Sequence, residues 1–444
     1  MVRLTGTFSR LCSRKVLVIG DLMLDTYTIG KARRISPEAP VAVIQVTHEE
    51  SRPGGAGNVM LNLISMGAEV VAVGRIGQDP AGETLRQALI AEKIDVKGLV
   101  VQNNLKTPVK NRIIAENQQI VRVDHEQVTA IPEMLEQEII EKLPELLEGV
   151  SVVAISDYGK GFLSRTLLTA VIEQANNLHI PIIADPKGND FTKYSGTTII
   201  KPNLSEAYAA SGFAANTDLD TVAEKILKIA QAQSLMITRS ESGISLFHSN
   251  GKREDFPVKV KEVKDVTGAG DTVLAMLTCA IASGLPIDEA VKLSNVAAGM
   301  AIERLGCARI TLSELARRLL ENDVVNKVFD DEHLYALQSA LQGRKYTLLG
   351  LSGESGMTSS AFAAIRKLSR NTDCDLLVYL IDTKPDNEFV ELLSSIHEVK
   401  FIILHCDNLC RLVNAIHPEK IYAVIGKEMK QLNTISNILE LTPR

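Results

Sequence analysis

DVTGAGDTVLAMLTCAIASG, residues 265–284, sets the frame for the whole chain. Gly268, Ala269 and Gly270 place small residues at the start of an apolar helical run. Backbone N–H groups at such a helix N-terminus have no carbonyl partner, and the helix dipole there favours an anion. Small side chains let a phosphate approach the main chain. Asp271 then falls in the first helical turn. A carboxylate beside an anion-binding turn suits a base that takes a proton from a hydroxyl attacking a γ-phosphate. A Gly-rich turn with an Asp helix cap would use the same residues. A bare GxGD would favour that capping turn; the full octapeptide Asp265–Thr272 favours the catalytic reading.

Outward from this segment, short β-branched runs alternate with helical patterns. Val16–Gly20 reads as a buried strand and Ala56–Met66 as a helix stopped by Gly67. Val70–Val73 is a strand and Gly82–Glu92 a helix, with further strands at Val152–Ser156, Ile180–Ala184, Thr198–Lys201 and Leu235–Thr238. Strands separated by helices predict βαβ units and an α/β fold with a parallel sheet. Pro40–Val46 and Val109–Val123 instead alternate apolar and polar residues, the second about Glu116-Asn117-Gln118. They predict antiparallel strands with one solvated face, either an appended lid or edge strands. Beyond a charged stretch at 322–344 a second series begins, at Tyr346–Leu351, Asp375–Ile381, Val399–Leu404 and Lys420–Ile425. The expected organisation is a first domain over 1–325, a linker over 326–344 and a smaller α/β domain over 345–444.

At 444 residues the chain exceeds one ordinary domain, and 45% hydrophobic residues suffice for sizeable cores. A net charge of −6 gives no general attraction to nucleic acid or anionic membrane, and with 4% aromatic residues and no Trp there is little to stack bases on. The six cysteines (Cys12, Cys279, Cys307, Cys374, Cys406, Cys410) form no CxxC pair, which fits reduced thiols. The basic N-terminus leads straight into the first strand, and no apolar stretch approaches the roughly 18 residues of a membrane span. A cytoplasmic protein is expected.

Asp265–Thr272 matches the C-terminal signature of the ribokinase/PfkB family of sugar kinases. Gly54-Gly55-Ala56-Gly57-Asn58 resembles its N-terminal signature, and Asn203-Leu204-Ser205-Glu206 its nucleotide-side motif. Thr238-Arg239-Ser240-Glu241-Ser242-Gly243 resembles the loop in which the family holds nucleotide phosphates. Within that family GDLMLDTY (20–27), RRISPEAPVAV (33–43), RPGGAGNV (52–59), NQQIVRVD (117–124), SDYGKG (156–161) and DPKG (185–188) are similar to one bacterial group. These are D-glycero-β-D-manno-heptose-7-phosphate kinase domains, usually fused to a heptose-1-phosphate adenylyltransferase domain.

The resemblance implies a ribokinase-like fold with a small β lid and ATP-dependent phosphorylation at the sugar's C1 hydroxyl, a step toward ADP-heptose. It implies Asp271 as base and Gly268, Ala269 and Gly270 as anion hole. Asn203, Leu204, Ser205, Glu206, Thr238 and Gly243 would meet the nucleotide, with Glu206 holding Mg²⁺ through water. Asp25, just past the first strand, would hold sugar hydroxyls with Gly54, Gly55 and Asn58. The sugar's own phosphate needs a cation, with Arg34, Lys187, Lys110, Arg112, Arg122 and Lys160 as candidates. Asp265 and Thr267 match part of a K⁺ site whose second part falls at Gly306–Ile310, where Cys307 departs from the family pattern. The partners implied are a sugar phosphate, ATP and a second copy of the chain. A sugar kinase of other specificity, or a kinase whose second domain senses nucleotide, would carry the same motifs.

The second domain of such fusions opens with a strand and an NGxFDxxHxGH loop whose two histidines act on nucleotide phosphates. Here the loop is Ser352-Gly353-Glu354-Ser355-Gly356-Met357-Thr358-Ser359, with Ser355 and Thr358 in the histidine places and no histidine between His333 and His397. The later GGDY segment survives only as Gly426-Lys427-Glu428, and an STTN-like run only as Asn433-Thr434-Ile435-Ser436. A hydroxyl cannot supply the charge or proton of an imidazole. Loss of adenylyl transfer is therefore expected.

Overall fold

The computed structural model describes residues 10–116, 118–258, 263–304, 306–322, 327–329, 337, 338, 341, 343–354, 356–370, 374–383, 385–404, 413, 417–426 and 428–433. The chain divides into two compact units, Cys12–Ile310 and Thr311–Arg444 with Met1–Leu11.

In the larger unit the apolar run KVLVIG forms β1 (Lys15–Gly20), followed by β2 (Leu22–Ile35), β3 (Ala42–Gly55), α1 (Ala56–Ser65) and β4 (Glu69–Gly77). Then come α2 (Pro80–Ala91), β5 (Asp95–Gln102), β6 (Val109–Ala115), β7 (Gln118–His125), α3 (Glu133–Leu146), β8 (Val152–Ser156) and α4 (Arg165–Asn177). The series continues with β9 (Ile182–Asp185), β10 (Ile199–Ile200), α5 (Leu204–Ser211), α6 (Leu219–Ala230), β11 (Ser234–Thr238), β12 (Ile244–His248) and β13 (Arg253–Phe256). It closes with α7 (Ala269–Ala282) and α8 (Ile287–Ile302).

Nine strands form one sheet in the order β13-β12-β11-β10-β9-β8-β1-β4-β5. Pairing is parallel from β11 to β5, and β12 and β13 add an antiparallel edge. Leu17, Ile19, Val153, Ile155 and Ile182 point into one hydrophobic core with Leu143, Leu167 and Ile226 of the covering helices. From β1 the chain builds toward β4 and β5, then returns to build the other way through β8. Ligands of such sheets bind beyond the strands' carboxyl ends at this reversal. Asp21, Asp157, Asp185, Lys201 and Thr238 all stand at those ends.

A separate four-stranded sheet has the order β3-β2-β6-β7. The strands expected from alternation at 40–46 and 109–123 belong to it. Asp25, expected just past the first strand, lies inside the second, β2, opposite Arg52 of β3 and Lys110 of β6. Gly30 and the run Lys31–Arg34 obscure the alternation that would have revealed this strand. Glu116 turns the β6–β7 hairpin with a φ of 49°. Asn117 lies outside the described residues.

The smaller unit contains α9 (Leu312–Asn322), β14 (Val328–Phe329), β15 (Tyr346–Leu351), α10 (Ser359–Leu368), β16 (Asp375–Leu380), α11 (Asn387–Ser395), β17 (Val399–Ile403), β18 (Lys420–Ile425) and β19 (Glu428–Leu432). Its sheet runs β14-β17-β16-β15-β18-β19, parallel except for β19. This is a second α/β unit, with its topological reversal at β15. No helix among the described residues is long and apolar enough to cross a membrane.

Candidate active site

The carboxyl ends of β8, β9, β10 and β11 and the start of α7 line an open cleft of about 540 Å³. Its walls are Asp157, Tyr158, Asp185, Pro186, Lys187, Lys201, Asn203, Glu206, Thr238, Gly268, Gly270 and Asp271. Seven residues named from sequence thus meet in one place: Lys187, Asn203, Glu206, Thr238, Gly268, Gly270 and Asp271.

Gly268 precedes α7 with a φ of 78°. A Cβ there would lie 3.0 Å from Asn58 Nδ2 and 3.2 Å from Cys307 Sγ, so both conformation and space require glycine. The Ala269 amide donates back to Val266 O at 3.3 Å. The amides that follow, in the open first turn, have no intrahelical acceptor to meet. Asp271 is buried. Its Oδ2 accepts from Asn58 Nδ2 at 2.7 Å and its Oδ1 from the Tyr158 hydroxyl at 2.5 Å. Burial raises the Asp271 pKa; the bonds from Asn58 and Tyr158 and the charge of Lys201 oppose that rise.

At the start of α5 Asn203 and Glu206 form a capping box. Asn203 Oδ1 accepts from the Glu206 amide at 2.9 Å, and Glu206 Oε2 from the Asn203 amide at 3.0 Å. The other carboxylate oxygen of Glu206 takes the Lys187 ammonium at 2.7 Å. Lys187, a candidate for the sugar's phosphate, is thus tied to Glu206 at the start of α5. Leu204 and Ser205 sit on the exposed first turn of α5 and do not line the cleft. Gly243 does not line it either. Its φ is 81° and a Cβ would come within 2.0 Å of Phe256 O, so the turn before β12 itself requires glycine.

Sequence reasoning assigned no role to Tyr158, Lys201, Asp185 or Asp157. Lys201 is almost fully buried and pairs with Asp185 at 2.8 Å. Burial pushes Asp185 up to about 6 against the pull of Lys201, with Asp271 and Glu206 acting in the same upward direction. Lys193 and the Tyr194 hydroxyl hold Asp157 Oδ2 at 2.6 and 2.7 Å. Tyr158 lay inside the quoted SDYGKG segment, the one signal that could have found it.

The residues named from sequence for the sugar gather around Asp25. Asp25 is buried and ion-paired to Arg112 at 2.6 Å. A Cβ on Gly54 would fall 2.2 Å from Asp25 Oδ2, so glycine there makes room for the carboxylate. Gly55 starts the turn into α1 with a φ of 58°. Besides Lys187, three candidate cations hold carboxylates: Arg112 on Asp25, Lys160 on Glu126 at 2.8 Å, and Arg122 on Asp124 at 2.8 Å. Lys110 stands beside Asp25 in register. Arg34 is exposed, opposite Val43. It lies nine positions along β2 from Asp25, about 30 Å at roughly 3.3 Å per residue, and so outside this chain's own site. Burial and the charges of Asp25 and Asp271 push the Cys307 thiol up to about 12. Burial raises the Asp265 pKa, but bonds from the Thr267 hydroxyl and amide and the Gly306 amide outweigh it, and the carboxylate stays ionised.

In the smaller unit the loop after β15 occupies the topological reversal. Ser352 Oγ donates to Asp382 Oδ1 at 2.8 Å, and the Gly353 amide donates to Asp382 Oδ2. Thr358 caps α10, accepting from the Ala361 amide at 3.1 Å. Ser355, Lys427 and Thr434–Ser436 lie outside the described residues.

A model described as "pfkB family carbohydrate kinase" matches residues 13–315. The protein named bifunctional protein HldE of Trichlorobacter lovleyi is 43% identical over 337 residues, covering 75% of this chain and 69% of the relative. That of Geotalea uraniireducens is 36% identical over 449 residues, covering 95% and 91%. For HldE proteins of two Geobacter species and Citrifermentans bemidjiense the match spans 61–64% of the relative's length. The Escherichia coli phosphofructokinase-2 structure in complex with potassium superposes with a TM-score of 0.58 at 20% identity, over 70% of this chain and 99% of that one, a likeness of fold.

Proposed function

The chain belongs to the pfkB family of carbohydrate kinases, and from that premise we propose that it phosphorylates the C1 hydroxyl of D-glycero-D-manno-heptose 7-phosphate with ATP. The observation that carries this reading is the place of Asp271. Its buried carboxylate lines the cleft bounded by Asn203, Glu206 and Thr238 and is held by Asn58, from the helix that follows Gly54 and Gly55.

The acceptor hydroxyl gives its proton to Asp271 as its oxygen bonds to the γ-phosphorus. The bond from that phosphorus to the bridging oxygen breaks, and ADP leaves with the electron pair. The amides of the α7 first turn face the charge that spreads onto the phosphoryl oxygens. Asp25 orients the sugar, and Arg112 holds Asp25. Mg²⁺ bound to the triphosphate would neutralise charge there, with Glu206 as its carboxylate through water. Mg²⁺ keeps most of its waters, so one carboxylate would suffice. K⁺ would meet the ionised Asp265 beside Thr267.

We further propose that the protein works in the cytoplasm as a homodimer through the four-stranded sheet, where Ile35, Ile120 and Val121 are exposed. The first domain, taken as 1–325, carries the kinase activity. The domain over 345–444, beyond the linker 326–344, has lost adenylyl transfer.

The test is ADP release by the purified chain with heptose 7-phosphate beside a panel of other sugar phosphates. Turnover is expected only with the heptose. Turnover of another sugar alone would make this a sugar kinase of other specificity.

A further inference from the structure

Lys201 leaves β10 at its carboxyl end, with 3% of its side chain exposed, and still contributes to the wall of the cleft. Its ammonium is 2.8 Å from Asp185 and 4.0 Å from where a Cβ on Gly270 would stand. The charge thus lies beside the first turn of α7, next to the base Asp271. Lys187, the other lysine of the cleft, has a side chain half exposed and bonded to Glu206. A buried ion pair contributes little net stability, since an apolar pair of similar size would serve as well. Its place at the ligand-binding edge of the sheet needs another reason.

We propose that the Lys201 ammonium contacts the transferring phosphoryl group, exchanging Asp185 for phosphoryl oxygens when the nucleotide binds. Charge spreads over three equatorial oxygens as the phosphoryl group moves, and a cation fixed before the reaction meets that charge without reorganising. Asp185 holds the ammonium in place while the cleft is empty. The inference rests on reading Asp271 as the base, and its test separates the two.

Lys201→Met alone would strand Asp185 as a buried charge, so it is measured together with Asp185→Asn and the double variant, in the full chain. The acceptor is whichever panel sugar phosphate the wild type turns over fastest. The double variant should keep its thermal midpoint within a few degrees of Asp185→Asn. Its kcat should fall at least about 100-fold below Asp185→Asn, with acceptor KM within about threefold, the loss typical of removing one transition-state donor. Three results overturn the proposal. One is a double variant with kcat within threefold of Asp185→Asn. Another is an Asp185→Asn variant already as slow as the double. The third is a loss confined to KM for ATP, which would make Lys201 a ground-state binder. Asp271→Asn is run alongside: near-normal turnover there sinks the base assignment, whatever the lysine variants show.

Discussion

At Asp271 burial and hydrogen bonding pull in opposite directions. Removal from water disfavours the ionised carboxylate, while Asn58 and Tyr158 each donate to one of its oxygens and favour it. A base must be ionised, so activity is lost as pH falls through a pKa already raised by burial. Tyr158→Phe removes one donor and raises that pKa further. The acid limb of kcat/KM should therefore move to higher pH, with kcat down about tenfold, consistent with roughly 1–1.5 kcal/mol for one hydrogen bond. A pH profile that stays in place would deny Tyr158 any hold on the base. Asp271→Asn should lower kcat by roughly 10² to 10⁴ while calorimetry still detects ATP. Asp271 and the glycines before it could be placed together from sequence because the turn and the helix it opens are contiguous. Tyr158, Lys201 and Asp185 were not, because each arrives at the site from the end of a different strand. Only the sheet order brings them together.

At the level of elements, the pairing of β2 with β3 sets Gly54 beside Asp25, which we propose holds the sugar. Gly54 faces Asp25 so closely that a single methyl would occupy the place of its carboxylate oxygen. Gly54→Ala should swing Asp25 off Arg112 and raise acceptor KM at least about tenfold, leaving KM for ATP unchanged. An unchanged acceptor KM would remove Asp25 from sugar binding. The other end of the same sheet carries Ile35, Ile120 and Val121, which are 71%, 49% and 46% exposed. Lysine at 120 and 121 should convert the proposed dimer to a monomer in light scattering, and a dimer of unchanged affinity would place the contact elsewhere. Alternation announced strands at β6 and β7 but not their burial: β7 is exposed along its whole length, and β6 is half-buried until Ala115, where one solvated face was expected. It did not announce the 14-residue β2, buried at its start and charged toward its end. No single period describes a strand that begins in the core and finishes in solvent.

Across the whole molecule, the two α/β units use the same kind of place, a strand end at a topological reversal, in opposite ways. In the larger unit the donors beside Gly268 face an open cleft. In the smaller one the Ser352 hydroxyl and the Gly353 amide are taken by Asp382, a carboxylate from the next strand's end that is only 7% exposed. A protein anion thus holds donors that a nucleotide phosphate would need, and displacing it would leave a buried charge unpaired. The missing histidines were legible in the sequence. The occupied loop was not, because Asp382 lies some thirty residues further along the chain and its bond to the loop depends on β16 lying beside β15. The two reactions leave different products. Kinase turnover releases ADP, whereas adenylyl transfer, in which a sugar 1-phosphate oxygen attacks the α-phosphorus, releases pyrophosphate. The full chain given ATP and heptose 1-phosphate should release no pyrophosphate above background while its ADP-forming activity on the 7-phosphate persists. Pyrophosphate release abolished by Ser352→Ala would show that the loop still performs transfer and that Asp382 yields to substrate.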